Sequence, residues 1–366
     1  MTLHNFSLLV SGNAPVEFPT DIFFAVLWQN DEDALAIQPL HPFRGEWGQP
    51  LSIQLTTQDE TVLPQKIDMV WLSITERKFY SLVETLPVTL LDELFQQEYQ
   101  EQQEESDEED EGSSTSFTYD SIVVGMAPYG DVAIWTNGLK KSALVAWMHG
   151  EEAEVEMTDF APMNPTITLD EICDFYINND SRVKENLQTN GLPSRDLFDN
   201  YMKQFTYRYL PLFEHWDESK EKWTKYTEEE QETKPELDYI EEALYDGTHD
   251  KLHDGGLLNY HEAGKPKKLA VKWHIKKSEY MAYFWFEDEA IRAIFDKFYG
   301  IHPDTQTDFV IHIDPEKKKY ELALYRYGMN EPKPISEDAY QLIVFKNKFE
   351  QYRSPNYDQP RGAWIW

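Results

Sequence analysis

The chain has one cysteine in 366 residues, Cys173, so no disulfide can close within it. That excludes the small disulfide-stapled secreted folds and fits a reducing compartment. Long apolar runs are also missing: no stretch approaches the roughly 18 apolar residues of a membrane-spanning helix. Residues 1–10 hold no Lys or Arg and only a short apolar run at 6–10. A secretory signal needs a basic start and a longer apolar core, so the expectation is a cytoplasmic protein with no membrane partner. Positive charge is scarce too: 33 Lys+Arg face 67 Asp+Glu, for a net charge of −34. The deficit is uneven. Residues 267–366 carry 16 Lys+Arg against 15 Asp+Glu, whereas residues 1–266 carry 17 against 52. Phosphate contacts need a basic patch, so direct nucleic-acid binding is disfavoured. An acidic surface of this size serves solubility and also steers basic partners.

Signature motifs are lacking as well. There is no Gly-x-Ser-x-Gly elbow, Walker loop or dinucleotide fingerprint, so no enzyme class has a specific motif here and no cofactor is expected. Cys173 has the apolar neighbours Ile172 and Phe175. It reads as a buried structural thiol, because a nucleophile needs a lowered pKa and a positioned base.

What the chain does have is aromatic mass: 11 Trp, 21 Tyr and 20 Phe, with 41% hydrophobic residues overall. That is ample for packed cores despite the charge. Its length exceeds one core, so two domains or an internal duplication are expected. Two stretches look poorly packed. Residues 101–118, EQQEESDEEDEGSSTSFT, hold eight acids and no base, as in a mobile loop. Residues 214–266 hold 16 acids and six lysines. Their first half suits an exposed charged helix, and Gly247, Gly255, Gly256 and Gly264 mark their second half as a linker.

Around these stretches the pattern repeats. From Lys66 an apolar strand ends at Trp71, and a helix follows with Leu90, Leu91, Leu94, Phe95 and Tyr99 on one face. From Lys267 a strand closes at Trp273, and Ala290, Ile291, Ile294, Phe295 and Tyr299 repeat the spacing. A hairpin is expected after each helix, with Pro128 or Pro315 in its turn. The expectation is an α+β protein of two related antiparallel-sheet-plus-helix units joined by an acidic linker. Its parts are a first domain at 1–213 with an acidic loop at 98–118, the linker at 214–266, and a second domain at 267–366.

Within the linker, His249 and His253 stand four apart with His261 nearby. On a helix they would share a face and reach one zinc ion. Gly255 and Gly256 follow at once and no Glu follows the first His, so no metal site is assigned.

Taken in order, the first half resembles a bacterial domain-of-unknown-function family whose members are often lipoproteins, some encoded beside type VI secretion effectors. The matching pieces are Phe18-Pro19, Gly45-Glu46-Trp47-Gly48, Leu63-Pro64, Val70-Trp71-Leu72-Ser73, Glu76, Lys78-Phe79-Tyr80 and Leu86-Pro87. The series continues through Tyr119-Asp120-Ser121-Ile122-Val123-Val124-Gly125-Met126-Ala127-Pro128-Tyr129-Gly130 and Val132-Ala133-Ile134-Trp135 to residues 201–209. The resemblance covers roughly residues 15–213 and implies a cognate-toxin inhibitor more readily than an enzyme. The chain departs from the pattern in lacking the lipoprotein cysteine and in adding residues 267–366. The first departure implies a toxin that acts in the cytoplasm.

The resulting expectation is an immunity protein that occludes the active site of a basic effector toxin, such as a nuclease. Carboxylates supply steering, and aromatic side chains supply the anchors. The candidate contacts are Glu101, Glu104, Glu105, Asp107, Glu108, Glu109, Asp110 and Glu111, with Trp216, Trp223, Glu228, Glu229, Glu230, Trp364 and Trp366. The alternatives are an adaptor or chaperone for a secreted effector and a metal-dependent hydrolase using the linker histidines.

Overall fold

The computed structural model describes residues 5–37, 42–51, 55–56, 61–101, 115–253, 259–300 and 305–358. Its contacts divide it into two units, Met1–Asp199 with Asp246–Thr248, and Asn200–Tyr245 with His249–Trp366.

The first unit has ten main strands: β1 (Leu9–Asn13), β2 (Thr20–Trp28), β3 (Ala34–Ala36), β4 (Leu55–Thr56), β5 (Lys66–Ser73), β6 (Lys78–Thr85), β7 (Ser121–Met126), β8 (Asp131–Gly138), β9 (Lys141–His149) and β10 (Glu151–Ala153). Helix α1 (Val88–Gln96) follows β6, while α2 (Met157–Phe160), α3 (Leu169–Asn179) and α4 (Ser181–Thr189) follow β10. One sheet runs β9-β8-β7-β1-β4 and the other β10-β6-β5-β2-β3. Only β7 and β1 pair in parallel within them.

Side chains alternate along a strand, and β5 shows what that does here. Ile67, Met69 and Trp71 point inward and join Val10, Ile122, Val124 and Ile134 of the other sheet in one core. Leu72 on the opposite face joins Ile74, Phe79 and Cys173 in a second cluster, closed by residues of α2 and α3. Leu91 and Phe95 of α1 enter the first core. The helix ends at Gln96, and Tyr99 instead begins a short strand (Tyr99–Glu101) paired with Thr115–Phe117.

The second unit has β11 (Phe205–Phe213), β12 (Glu236–Leu244), β13 (His249–His253), β14 (His261–Ala263), β15 (Pro266–Ile275), β16 (Ser278–Phe286), α5 (Asp288–Tyr299), β17 (Thr307–Asp314), β18 (Lys319–Arg326), β19 (Lys333–Pro334), β20 (Tyr340–Lys346) and β21 (Phe349–Arg353). Its sheets run β19-β18-β17-β11-β14 and β21-β20-β16-β15-β12-β13. Adding ten to each strand number of the first unit therefore reproduces this order, with β21 as an extra edge. The parallel pair recurs as β17 with β11, and the helix again follows the corresponding hairpin. Tyr209, Phe309 and Leu322 of one sheet, Ile240, Val271 and Phe284 of the other, and Ile291 and Phe295 of α5 share one core.

This corrects the expected fold. Among the described residues strand accounts for 47% and helix for 19%, so the fold is mainly β rather than α+β, and each core lies between two sheets instead of under one helix. The expected linker is also not one: residues 214–266 contain β12, β13 and β14 of the second unit. Its acids misled because some are buried with partners. Glu241 and Glu242 are inside, and Tyr209 donates to Glu242 Oε2 at 2.7 Å. The charged helix expected there is a hairpin (His215–Asp217 with Lys222–Thr224) and a 3-10 turn, Glu228–Thr233. Among the described residues no helix is long and apolar enough to cross a membrane.

One close approach depends on glycine. Trp47 and Trp135 meet edge to face at 4.7 Å, and Gly125 on β7 lies against both rings. A Cβ there would sit 2.3 Å from the Trp135 ring and 2.8 Å from Trp47. Gly125→Ala should therefore overpack this core and cost about 1–3 kcal/mol, read as a lower urea midpoint with an unchanged slope.

Candidate functional site

The first unit carries an apolar groove of about 550 Å³ on the outer face of the β10-β6-β5-β2-β3 sheet. Its origin is a break in alternation. Pairing of β2 with β5 shifts register between Ile22 and Phe24. Such a bulge inserts an unpaired residue and re-aims the side chains around it. Thr20 and Ile22 point inward before it, Ala25 and Leu27 after it, so Phe23 and Phe24 both face out. They are 37% and 41% exposed, with rings 5.9 Å apart. Phe23 also lies 6.0 Å from Phe160 of α2, which packs at 5.0 Å on Phe79 of β6.

The far wall is α3. Its start is a capping box: Glu171 N–H donates to Thr168 Oγ1 at 3.2 Å, and Thr168 N–H donates to Glu171 Oε2 at 2.9 Å. Accepting from the Thr168 N–H and from its hydroxyl lowers the pKa of the Glu171 carboxyl. Arg77, in the turn between β5 and β6, holds the helix through Asp174 and through Asp170 at 2.8 Å. Thus anchored, Ile172, Phe175 and Tyr176 share one helix face at spacings of three and four and line the groove. Cys173 instead turns into the core, where burial pushes its thiol up to about 12 and so disfavours the reactive thiolate.

Charge surrounds this apolar strip. Asp21 and Asp159 line it directly. Tyr176 Oη donates to the buried Asp21 Oδ2 at 3.1 Å, and burial together with that carboxylate keeps the phenol protonated. Residues 151–180, which run from β10 through α2 and α3, contain nine acids and no Lys, Arg or His. Of the nearby cations, Arg77 is paired as above and Lys78 is paired with Glu152. Phe175 is 63% exposed and Met163, just beyond the lining Pro162, is 97% exposed. The arrangement offers apolar contact area inside a negative field. That suits recognition of a partner more than bond-making.

A second cluster gathers on the stretch Pro128-Tyr129-Gly130-Asp131. Tyr129 has φ +68°, costly for a non-glycine residue. It is held there by three partners. Glu76 Oε2 accepts its N–H at 2.8 Å, Arg195 donates to its carbonyl at 2.7 Å, and its hydroxyl donates to the Pro193 carbonyl at 2.7 Å. Ser73 and Tyr80 also donate to Glu76. Next to it, His149 Nδ1 meets the buried Asp131 Oδ1 at 2.7 Å, with Asp199 3.8 Å from Nε2. Burial pushes the Asp131 carboxyl up to about 6, and the bond to His149 opposes that rise.

None of the contacts expected from sequence is among the residues that line the groove. Glu101 ends a short strand of the first unit. Glu104, Glu105, Asp107, Glu108, Glu109, Asp110, Glu111, Trp364 and Trp366 lie outside the described residues. Trp216 and Trp223 face each other at 5.3 Å on their hairpin, and Trp223 stacks on His312 at 4.9 Å. Both are partly buried against their own unit. Glu228 and Glu229 are exposed, whereas Glu230 caps its own turn, accepting from Thr227 N–H at 2.8 Å. The linker histidines lie on strands, not on a helix. His249 and His253 are four positions apart on the strand β13, about 13 Å along it, not one helical turn apart as a shared helix face requires. His261 lies on β14 of the other sheet, 3.9 Å from Glu242.

Sequence reasoning missed the groove and the Asp131–His149 pair. The signal for the groove was two adjacent phenylalanines inside a strand, together with a thirty-residue stretch free of basic residues.

The first unit is thus a two-sheet domain with a helical cover and an acid-walled apolar groove. Residues 2–194 match the family model described as "Protein of unknown function (DUF2931)", and the chain belongs to that family. No curated protein and no solved structure matches the chain.

Asp131 makes a pH-dependent contribution. Its folded pKa of about 6 lies above the usual carboxyl value of 3.8, so the stability it contributes is full below about pH 4 and is lost as pH rises through 6. Asp131→Asn keeps an acceptor for His149 and removes the titration. Across pH 4 to 7 the variant should gain on the wild type by on the order of 1–2 kcal/mol, measured by paired urea melts.

Proposed function

We propose that this protein is an immunity protein, which binds a cognate type VI secretion effector toxin inside the cell and neutralises it by covering its active site. The observation that carries this reading is the juxtaposition on the family domain of exposed aromatic side chains with a wall of nine acids. Large aromatic anchors supply binding energy, and a one-signed field speeds encounter with an oppositely charged surface. A toxin domain built to hold phosphate, such as a nuclease, presents such a basic surface. The excess of 52 acids over 17 bases in residues 1–266 has the sign that such a basic partner needs. A cytoplasmic site of action accords with a lone thiol that is free and buried.

Two outcomes are expected. Co-expression with the toxin domain encoded beside its gene should restore growth, and the two chains should co-purify in fixed stoichiometry. Continued killing without a complex would end the immunity reading, and a stable complex that leaves the toxin active would favour an adaptor. The association rate should fall at least tenfold between about 50 and 500 mM salt in stopped-flow mixing, because long-range steering is screened over a Debye length of about 10 Å or less at 0.1 M and above.

A further inference from the structure

We infer that the groove between β2 and α3 receives a cationic, amphipathic segment of the bound polypeptide, with Arg or Lys directed to Asp21 and Asp159 and an apolar neighbour packed on Phe23 and Phe175. This rests on the binding role proposed above and names the chemistry of what is bound. Three observations select this occupant. The groove walls are apolar, so they favour hydrocarbon or aromatic surface. Both charged residues lining it are carboxylates, and the helical wall contains no base, so an acidic or phosphorylated segment is repelled. The cations paired with this stretch are Arg77 with Asp170 and Asp174, Lys78 with Glu152, and Arg44 and Arg182 with Asp180, and its nine acids outnumber them. Arg and Lys carry both characters in one side chain, an aliphatic stem and a charged head.

The aromatic side of the groove also accounts for specificity. A guanidinium above Phe175 or Phe23 gains cation–π attraction in addition to its pairing with a carboxylate, and a neutral polar side chain gains neither. The bulge in β2 keeps Phe23 and Phe24 outward on a strand whose neighbours are fixed in the core. The anchor surface is therefore formed before binding, which lowers the ordering cost of association.

The test uses two fluorophore-labelled nine-residue peptides, one alternating Arg with Trp and Leu, the other its Glu counterpart. The full chain carries either Phe175→Ser with Asp159→Asn, or Phe349→Ser with Glu350→Gln as an equally exposed control pair on β21. All four positions are exposed, and unchanged melting curves confirm folding. The Arg peptide should bind the wild type at least tenfold more tightly than the Glu peptide. The groove pair should weaken it at least fivefold and the control pair less than twofold. Equal loss in both pairs, or in neither, overturns the inference by assigning attraction to net charge alone. Self-association in sedimentation that Phe175→Ser abolishes would also overturn it, by making a second copy the occupant. The same variants then separate this inference from the immunity reading. If the groove pair protects cells from the toxin as the wild type does, the groove assignment falls and immunity stands. If the peptide result holds but the wild type gives no protection, immunity falls and the groove chemistry stands.

Discussion

The first unit depends on one sheet that is buried on both faces. Strand β5 sends Ile67, Met69 and Trp71 into the core shared with the other sheet, and Leu72 into the layer under α2 and α3. A strand in this position cannot slip by one residue without exchanging two apolar sets of different shape. That fixed register holds β2 and β6 beside it, and with them the helical cover. The groove exists because the cover stops short of the bulge in β2, where two phenylalanines remain outside.

The second unit satisfies the same constraint with the same strand order, yet the two units differ where function is assigned. In the first, β10 leads into α2 and α3, which carry the acidic wall of the groove, and then into α4. In the second, the corresponding β20 leads directly into the edge strand β21. The charge distribution follows this difference, since residues 1–199 carry 9 Lys+Arg against 36 Asp+Glu while residues 200–366 carry 24 against 31. A shared sandwich thus provides the scaffold, and the helical addition provides the surface.

Parts of this were legible in the sequence. The strand and helix patterns starting at Lys66 and Lys267 mark β5 with α1 and β15 with α5, because strand periodicity and helical spacing are local properties. The buried Cys173 could be read from its apolar neighbours. Other strands were not legible. Strand β12 reads ELDYIEEAL, and only its pairing inside the fold, with Tyr209 donating to Glu242, makes buried acids tolerable there. A linker and such a strand look alike until the partners are known.

The sequence by itself determined composition and field: a free thiol, rich aromatic content, a negative charge concentrated in residues 1–266, and the local periodicity of the strongest elements. The tertiary structure decided which of those charges and aromatics act together. It turned the Trp216–Trp223 pair toward its own unit, separated the histidines along strands, and brought Phe23 to Phe160 and Asp21 to Tyr176 across more than 130 residues. The reason is physical. Periodicity depends on neighbours in the chain, whereas a groove depends on register, on the bulge and on the contact of distant elements, which only the packed core specifies.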